Sequence, residues 1–96
     1  MKTFRVALRG ENFLLRSEGV VRRLGFHVTR FVDAPDEHEA EYCAVDALRR
    51  ERSLREAVSN GPEDPPMLFA EKIEEIQPAD VPENRTPGLN FFEDAR

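Results

Sequence analysis

Few side chains in this 96-residue chain could do covalent or metal chemistry. They are Cys43, His27, His38 and adjacent carboxylates such as Glu74-Glu75. A metal site needs ligands that converge. On a helix, His38 and Cys43 stand about 140° apart at 100° per residue, and His27 falls on a strand with no neighbouring ligand. Nucleophilic catalysis needs a thiol or hydroxyl beside an oriented base. Nothing in the sequence brings His27 to Cys43, whose place among alanines reads as that of a small buried hydrophobe, slow to react in the folded state. Glu74 and Glu75 are neighbours on a strand and point to opposite faces. Glycine-rich phosphate loops and serine elbows are absent from the sequence. The lone cysteine excludes an internal disulfide and any Cys-rich zinc site. The expectation is a non-enzymatic chain with no catalytic residue, no metal and no cofactor.

Arginines are the more suggestive group. Arg5 and Arg9 share one face of the first strand, Arg16 lies on the next, and Arg22-Arg23 follow. Several arginines on an open sheet suit phosphate contacts. The aromatics that would help, Phe4 and Phe13, alternate onto the opposite, core-facing side. The competing reading is a solvated outer face paired with Glu and Asp from the tail.

Composition supports a small globular object: 40% hydrophobic, 34% charged, formal net charge -5. An acidic balance argues against a general nucleic-acid binder. The charge is polarised, with net +5 over residues 1–32, −4 over 33–62 and −6 over 63–96. One explanation is neutralisation within the fold; the other is a bipolar surface for self-association or a charged partner. The chain has no apolar run long enough to span a bilayer and no secretory pattern at Met1-Lys2-Thr3-Phe4. The expected location is the cytoplasm, with no membrane partner.

The elements that would position these residues can be read in order. Phe4, Val6 and Leu8 alternate with polar residues and predict a half-buried strand. Gly10-Glu11-Asn12 supplies turn chemistry before Phe13–Arg16, so the pair reads as a hairpin with a three-residue loop. Ser17-Glu18-Gly19 breaks the chain again, and Gly25 punctuates it before a strand over 26–33. There Arg30 shares a side with Phe26, Val28 and Val32. Either it sits near the sheet rim with its stem buried, or a bulge shifts the register. Asp36-x-x-Glu39 is a capping box opening the main helix, 36–52. Ala40, Cys43, Ala44, Ala47 and Leu48 form its apolar stripe. Ser53-x-x-Glu56 predicts a second, short helix, stopped by Asn60-Gly61-Pro62. Met67–Ile73 follows Pro65-Pro66 and reads better as strand than helix.

From Gln77 onward Pro78, Pro82, Pro87 and Gly88 deny regular structure. Residues 77–86 are expected to be mobile. Leu89, Phe91 and Phe92 form an aromatic anchor, expected to dock on the chain's own domain or on a neighbouring subunit, with Asp80 and Glu83 near the basic sheet.

The order Gly10-Glu11-Asn12-Phe13-Leu14-Leu15, Gly25-Phe26, Thr29–Ala34, Pro65-Pro66-Met67 and Glu71–Ile76 is similar to a family of small bacterial proteins of uncharacterised function. The likeness covers most of residues 3–77 and the segment from Pro87 to Phe92. It implies no activity, cofactor or site. Phe31-Val32-Asp33-Ala34 followed by Glu39-Ala40 also resembles small α+β domains of the HicB or ferredoxin-like kind.

The expected fold is α+β: an antiparallel sheet of three to four strands packed on one main helix, with a short second helix and an irregular tail. Residues 1–77 are expected to form one domain and 78–96 an acidic, proline-containing tail. The expected function is an interaction module that binds a protein partner or itself, as a homodimer. The alternative is a nucleic-acid-linked regulator or antitoxin-like partner using the basic sheet face. Candidate interaction residues are Arg5, Arg9, Arg16, Arg22, Arg23, Phe91 and Phe92.

Overall fold

A computed structural model describes residues 1–85 and 87–94. The elements are β1 (Lys2–Ser17), β2 (Val20–Ala34), α1 (Glu37–Arg49), α2 (Arg52–Ala57), β3 (Met67–Ile76), a turn of 3-10 helix at Pro78–Asp80, and β4 (Asn90–Glu93). The four strands form one antiparallel sheet in the order β3-β1-β2-β4. One face packs on α1 and α2, the other has no helix over it. The expected α+β class and main helix are found, and the strand expected over Met67–Ile73 is found and runs on to Ile76.

The long β1–β2 hairpin is the spine. The residues Gly10-Glu11-Asn12 are not its turn, as the alternation had suggested, but a bulge within β1. Gly10 pairs with Phe26 and Phe13 with Leu24, so Glu11 and Asn12 together stand opposite Gly25. Asn12 takes the left-handed conformation, φ 58, that the extra residue requires. The bulge changes the parity of the strand. Phe4, Val6 and Leu8 before it and Phe13 and Leu15 after it consequently all face the helices and are buried. The turn proper is Glu18-Gly19, both at positive φ, in the two-residue form that matches the twist of a hairpin. A second bulge acts likewise in β3: Ala7 pairs with Lys72 and Leu8 with Ala70, leaving Glu71 as the extra residue. Leu68, Ala70 and Ile73 thus pack on the same core despite their broken alternation.

Gly10 faces the core, where the rings of Phe13 and Phe26 lie 4.9 Å apart between centroids. A Cβ at Gly10 would collide with both rings. Each large apolar side chain fully buried here contributes roughly 1.5–3 kcal/mol.

Arg30 is neither at the rim nor displaced by a bulge. The β1–β2 register is unbroken around it, and its side chain enters the helix-side layer at 4% exposure. There it pairs with Glu51 and donates to the carbonyls of Pro87 at 2.6 Å and Thr29 at 3.0 Å. A guanidinium with five donors can be buried only when they find acceptors. These acceptors come from β2, the start of α2 and the C-terminal segment, so Arg30 ties all three together.

Asp36 caps α1 as expected, accepting from the Glu39 backbone N–H at 2.9 Å. The apolar stripe of α1 is narrower than its spacing suggested. Ala40, Ala44 and Leu48 are buried, Val45 packs beside them, and Cys43 and Ala47 are exposed. The helix is rolled toward Val45 because Ala40, Ala44 and Leu48, at i, i+4 and i+8, meet the sheet; Cys43 falls outside that seam. Cys43 is therefore not a buried structural residue. The expected second capping box is also not made. Glu51 precedes α2 without a side-chain cap, its carboxylate being used by Arg30, while Glu56 pairs with Arg52 at 2.8 Å.

Past β3 the chain rounds the end of the sheet and returns along the free edge of β2. Arg85 lies 3.4 Å from Asp33, Pro87 accepts from Arg30, and residues 90–93 pair with 24–27. The aromatic anchor docks on its own domain as β4. Within the segment 77–86 that was expected to be mobile, Pro78–Asp80 form the 3-10 turn, and Thr86 lies outside the described residues. A tail acid, Glu93, lies 2.5 Å from Arg22, whereas Asp80 and Glu83 make no ion pair with a sheet arginine among the described residues.

Candidate functional site

Strand alternation sends Arg5, Arg9, Arg16 and Arg23 to the face without helices, and Arg22 to the other. The arginines do not form one uncompensated basic patch. Arg5 donates to Glu74 at 2.5 Å. Arg9 donates from Nε to Glu11 at 3.1 Å and lies 3.6 Å from Glu71. Lys2 and Glu75, 3.9 Å apart, lie on the opposite, helix side, in register with Phe4. The acids that answer Arg5 and Arg9 come from β3 (Glu74, Glu71) and β1 (Glu11). The Arg5 contact favours the ionised form of Glu74 and holds its carboxyl below the ordinary range; Asp33 is lowered likewise, first by the Thr3 hydroxyl that donates to it at 2.8 Å, then by Arg85.

At the centre of this face, His27 sits between Arg9 and Glu71. Arg9 Nη1 is 3.3 Å from His27 Nε2, and Glu71 Oε2 is 3.6 Å from Nδ1. The bulge in β3 places Glu71 there. Phe92 closes the cluster, its ring lying over Gly25, with Arg9 Cζ 4.8 Å and the His27 ring 5.2 Å from its centre. Phe91, one residue earlier, points to the other face, where its ring meets Phe26 edge-on at 5.8 Å and remains half exposed. The two adjacent aromatics thus clamp β4 from both sides of the sheet. The chain's one thiol, Cys43, lies on α1, across the sheet from His27. Among the described residues no group of three or more His, Cys, Asp and Glu side chains is placed to hold a metal ion.

A polar network that the sequence did not reveal fastens the β1 bulge. The Asn12 amide donates to Asp64 at 2.8 Å and to the Pro65 carbonyl at 3.3 Å, and its backbone N–H donates to Asp94 at 2.8 Å. Asn60 donates to the Asn12 carbonyl at 2.8 Å and accepts from the Leu14 N–H at 3.0 Å. These bonds are architectural: they hold the 58–66 loop and the chain's end on the spine.

The surface left unfinished lies on the helix side. α1 lies across β2, β1 and β3; the inward residues of β1 from Phe4 to Leu15 are buried, whereas those of β3, Leu68, Ala70 and Ile73, stay half-buried, as do Leu24 and Val32 on β2. A trough of about 300 Å³ runs between α1 and β3, lined by Tyr42, Val45, Arg49 and Leu68 among others. It adjoins a second, of about 280 Å³, that shares Arg49 and Leu68 and is floored by Phe13, Leu54 and Val58. Tyr42 is 63% exposed and Met67 52%. Glu41, Tyr42, Val45 and Arg49 make a second stripe on α1, beside the alanine seam. Among the described residues Glu41 and Arg49 have no ion-pair partner, whereas Asp46 and Arg50 on the same helix pair at 3.1 Å. The signal for this stripe was present in the spacing of Tyr42 and Val45 outside the alanine series.

Comparison of the chain with protein-family models, with curated proteins and with solved structures yielded no match.

Proposed function

We propose that this chain is a small cytoplasmic interaction module, without enzymatic activity, that works by associating through the α1–β3 side of its helix layer and associates with itself. The observation that carries this reading is the half-covered inner face of β3. Apolar side chains there remain partly wet, beside an exposed tyrosine and two charges with no internal partner, as at an interface awaiting its other half.

Support for binding over catalysis comes from how the reactive groups are arranged. His27 lies on the open face beside Arg9 and Glu71, and Cys43 is on the far side of the sheet, so the base and the nucleophile do not meet. The alternative, a nucleic-acid-linked regulator or antitoxin-like partner, loses support from the pairing of Arg5 and Arg9 with Glu74, Glu11 and Glu71. Those carboxylates would have to be displaced before the arginines met phosphate.

Sedimentation velocity over about 1–500 µM chain tests the proposal. A concentration-dependent shift from monomer to dimer is expected; a monomer throughout that range contradicts self-association. Titration with a short DNA or RNA duplex at low salt tests the alternative, which requires binding that falls steeply as salt rises.

A further inference from the structure

Resting on the reading just proposed, we infer that the occupant of the α1–β3 trough is a second copy of this chain, with the two α1 helices antiparallel about a two-fold axis at Val45. A symmetric dimer uses the same patch on both subunits, so every contact between residues i and j occurs twice. A patch suits that arrangement when opposite charges stand at equal distances on either side of one point. Glu41 and Arg49 meet this condition. They lie four residues before and after Val45, about 6 Å away along the axis in each direction, and a stripe of i, i+4, i+8 spacing puts all three on one side of the helix. Antiparallel docking then sets Glu41 of each copy against Arg49 of the other. Val45 meets its own equivalent at the axis, and Tyr42 covers the contact from the solvent side.

Two further observations favour this occupant. Glu41 and Arg49 lack ion-pair partners among the described residues, so docking satisfies both without breaking an existing pair. The competing route to a dimer, strand addition at the free edge of β3, is obstructed. That edge carries Glu71, Glu74 and Glu75 and a bulge at Glu71, which are the devices that keep sheet edges from pairing. Two copies edge to edge would bring like charges together.

The contact is modest. Thirteen residues of helix span about 20 Å, so the interface is at the small end of specific ones and association is expected in the micromolar range.

Charge exchange tests the assignment. Glu41→Arg and Arg49→Glu each turn two attractive contacts into repulsive ones, and each is expected to weaken dimerisation about tenfold. An equimolar mixture of the two variants restores opposite charges across the interface and should dimerise as the natural chain does; so should the double variant with itself. Circular dichroism controls for folding, since both positions are exposed. If the natural chain dimerises and both single variants do so equally well, the interface lies elsewhere, and self-association stands while this surface is refuted. Weakening without recovery in the mixture also refutes it. If the natural chain is a monomer, both readings fail.

Discussion

The two faces of this sheet treat charge in opposite ways. On the face without helices, arginines and glutamates are interleaved across strands, Arg5 with Glu74 and Arg9 with Glu11 and Glu71, in water. On the helix side one arginine, Arg30, is buried and held by Glu51 and two backbone carbonyls, while at the flank of α1 Glu41 and Arg49 stand about two turns apart with no ion-pair partner among the described residues. The lesson is that uncovered area alone does not mark an interface. On the open face Arg5 and Arg9 already have carboxylate partners. The flank combines half-buried apolar side chains with two charges that have no ion-pair partner among the described residues, so a partner there gains both.

The sharpest way to break this contrast is to compare ion pairs on the two sides. Arg30→Ala should cost about 3 kcal/mol, the lower end for breaking a buried pair because Glu51 keeps some access to water. Urea unfolding measures it, and a loss below about 1 kcal/mol would mean that Arg30 is not a structural tie. Gly10→Ala should cost about 1–3 kcal/mol by overpacking Phe13 and Phe26, read by the same method; a neutral result would show that the two rings can move apart. Arg9→Gln, on the open face, should change stability by less than about 1 kcal/mol and leave association unaltered by sedimentation. A loss of dimer in that variant would move the interface to the wrong face.

Two smaller effects sharpen the picture. Cys43 should react with a thiol reagent in the folded state nearly as fast as in urea, which places it on the solvent side of α1; protection would mean that the helix is rolled the other way. Acid should act weakly through the open face. Asp33 and Glu74 ionise more readily folded than unfolded, so their contribution is complete above the ordinary carboxylate range, near pH 4, and is lost as pH falls through their lowered folded values. Asp33→Asn and Glu74→Gln should flatten the acid limb of a pH–stability curve slightly and leave it unchanged near pH 7.

Much of the fold was legible because its signals were local. The alternation of Phe4, Val6 and Leu8, the Asp36 cap and the prolines before Met67 each act within a few residues. What was misread depended on partners distant in sequence. Gly10-Glu11-Asn12 has the composition of a turn, and only pairing with β2 and the bonds to Asn60, Asp64 and Asp94 makes it a bulge. Arg30 offered two explanations because its acceptors, Glu51 and Pro87, lie 21 and 57 residues away. Cys43 fitted a helical stripe whose true centre was set by the roll of α1 on the sheet. Among the candidate site residues, the arginines were placed on the outer face correctly in the main, but their carboxylate partners on β3 could not be seen without the strand order.

The most direct measurement is a dilution series of amide NMR spectra of the natural chain. Concentration-dependent shifts should cluster on residues 38–49 of α1 and on Met67 and Leu68, leaving Arg5, Arg9, His27 and Phe31 on the open face unmoved. Shifts confined to the open face, or spectra that do not change with concentration, would contradict the account.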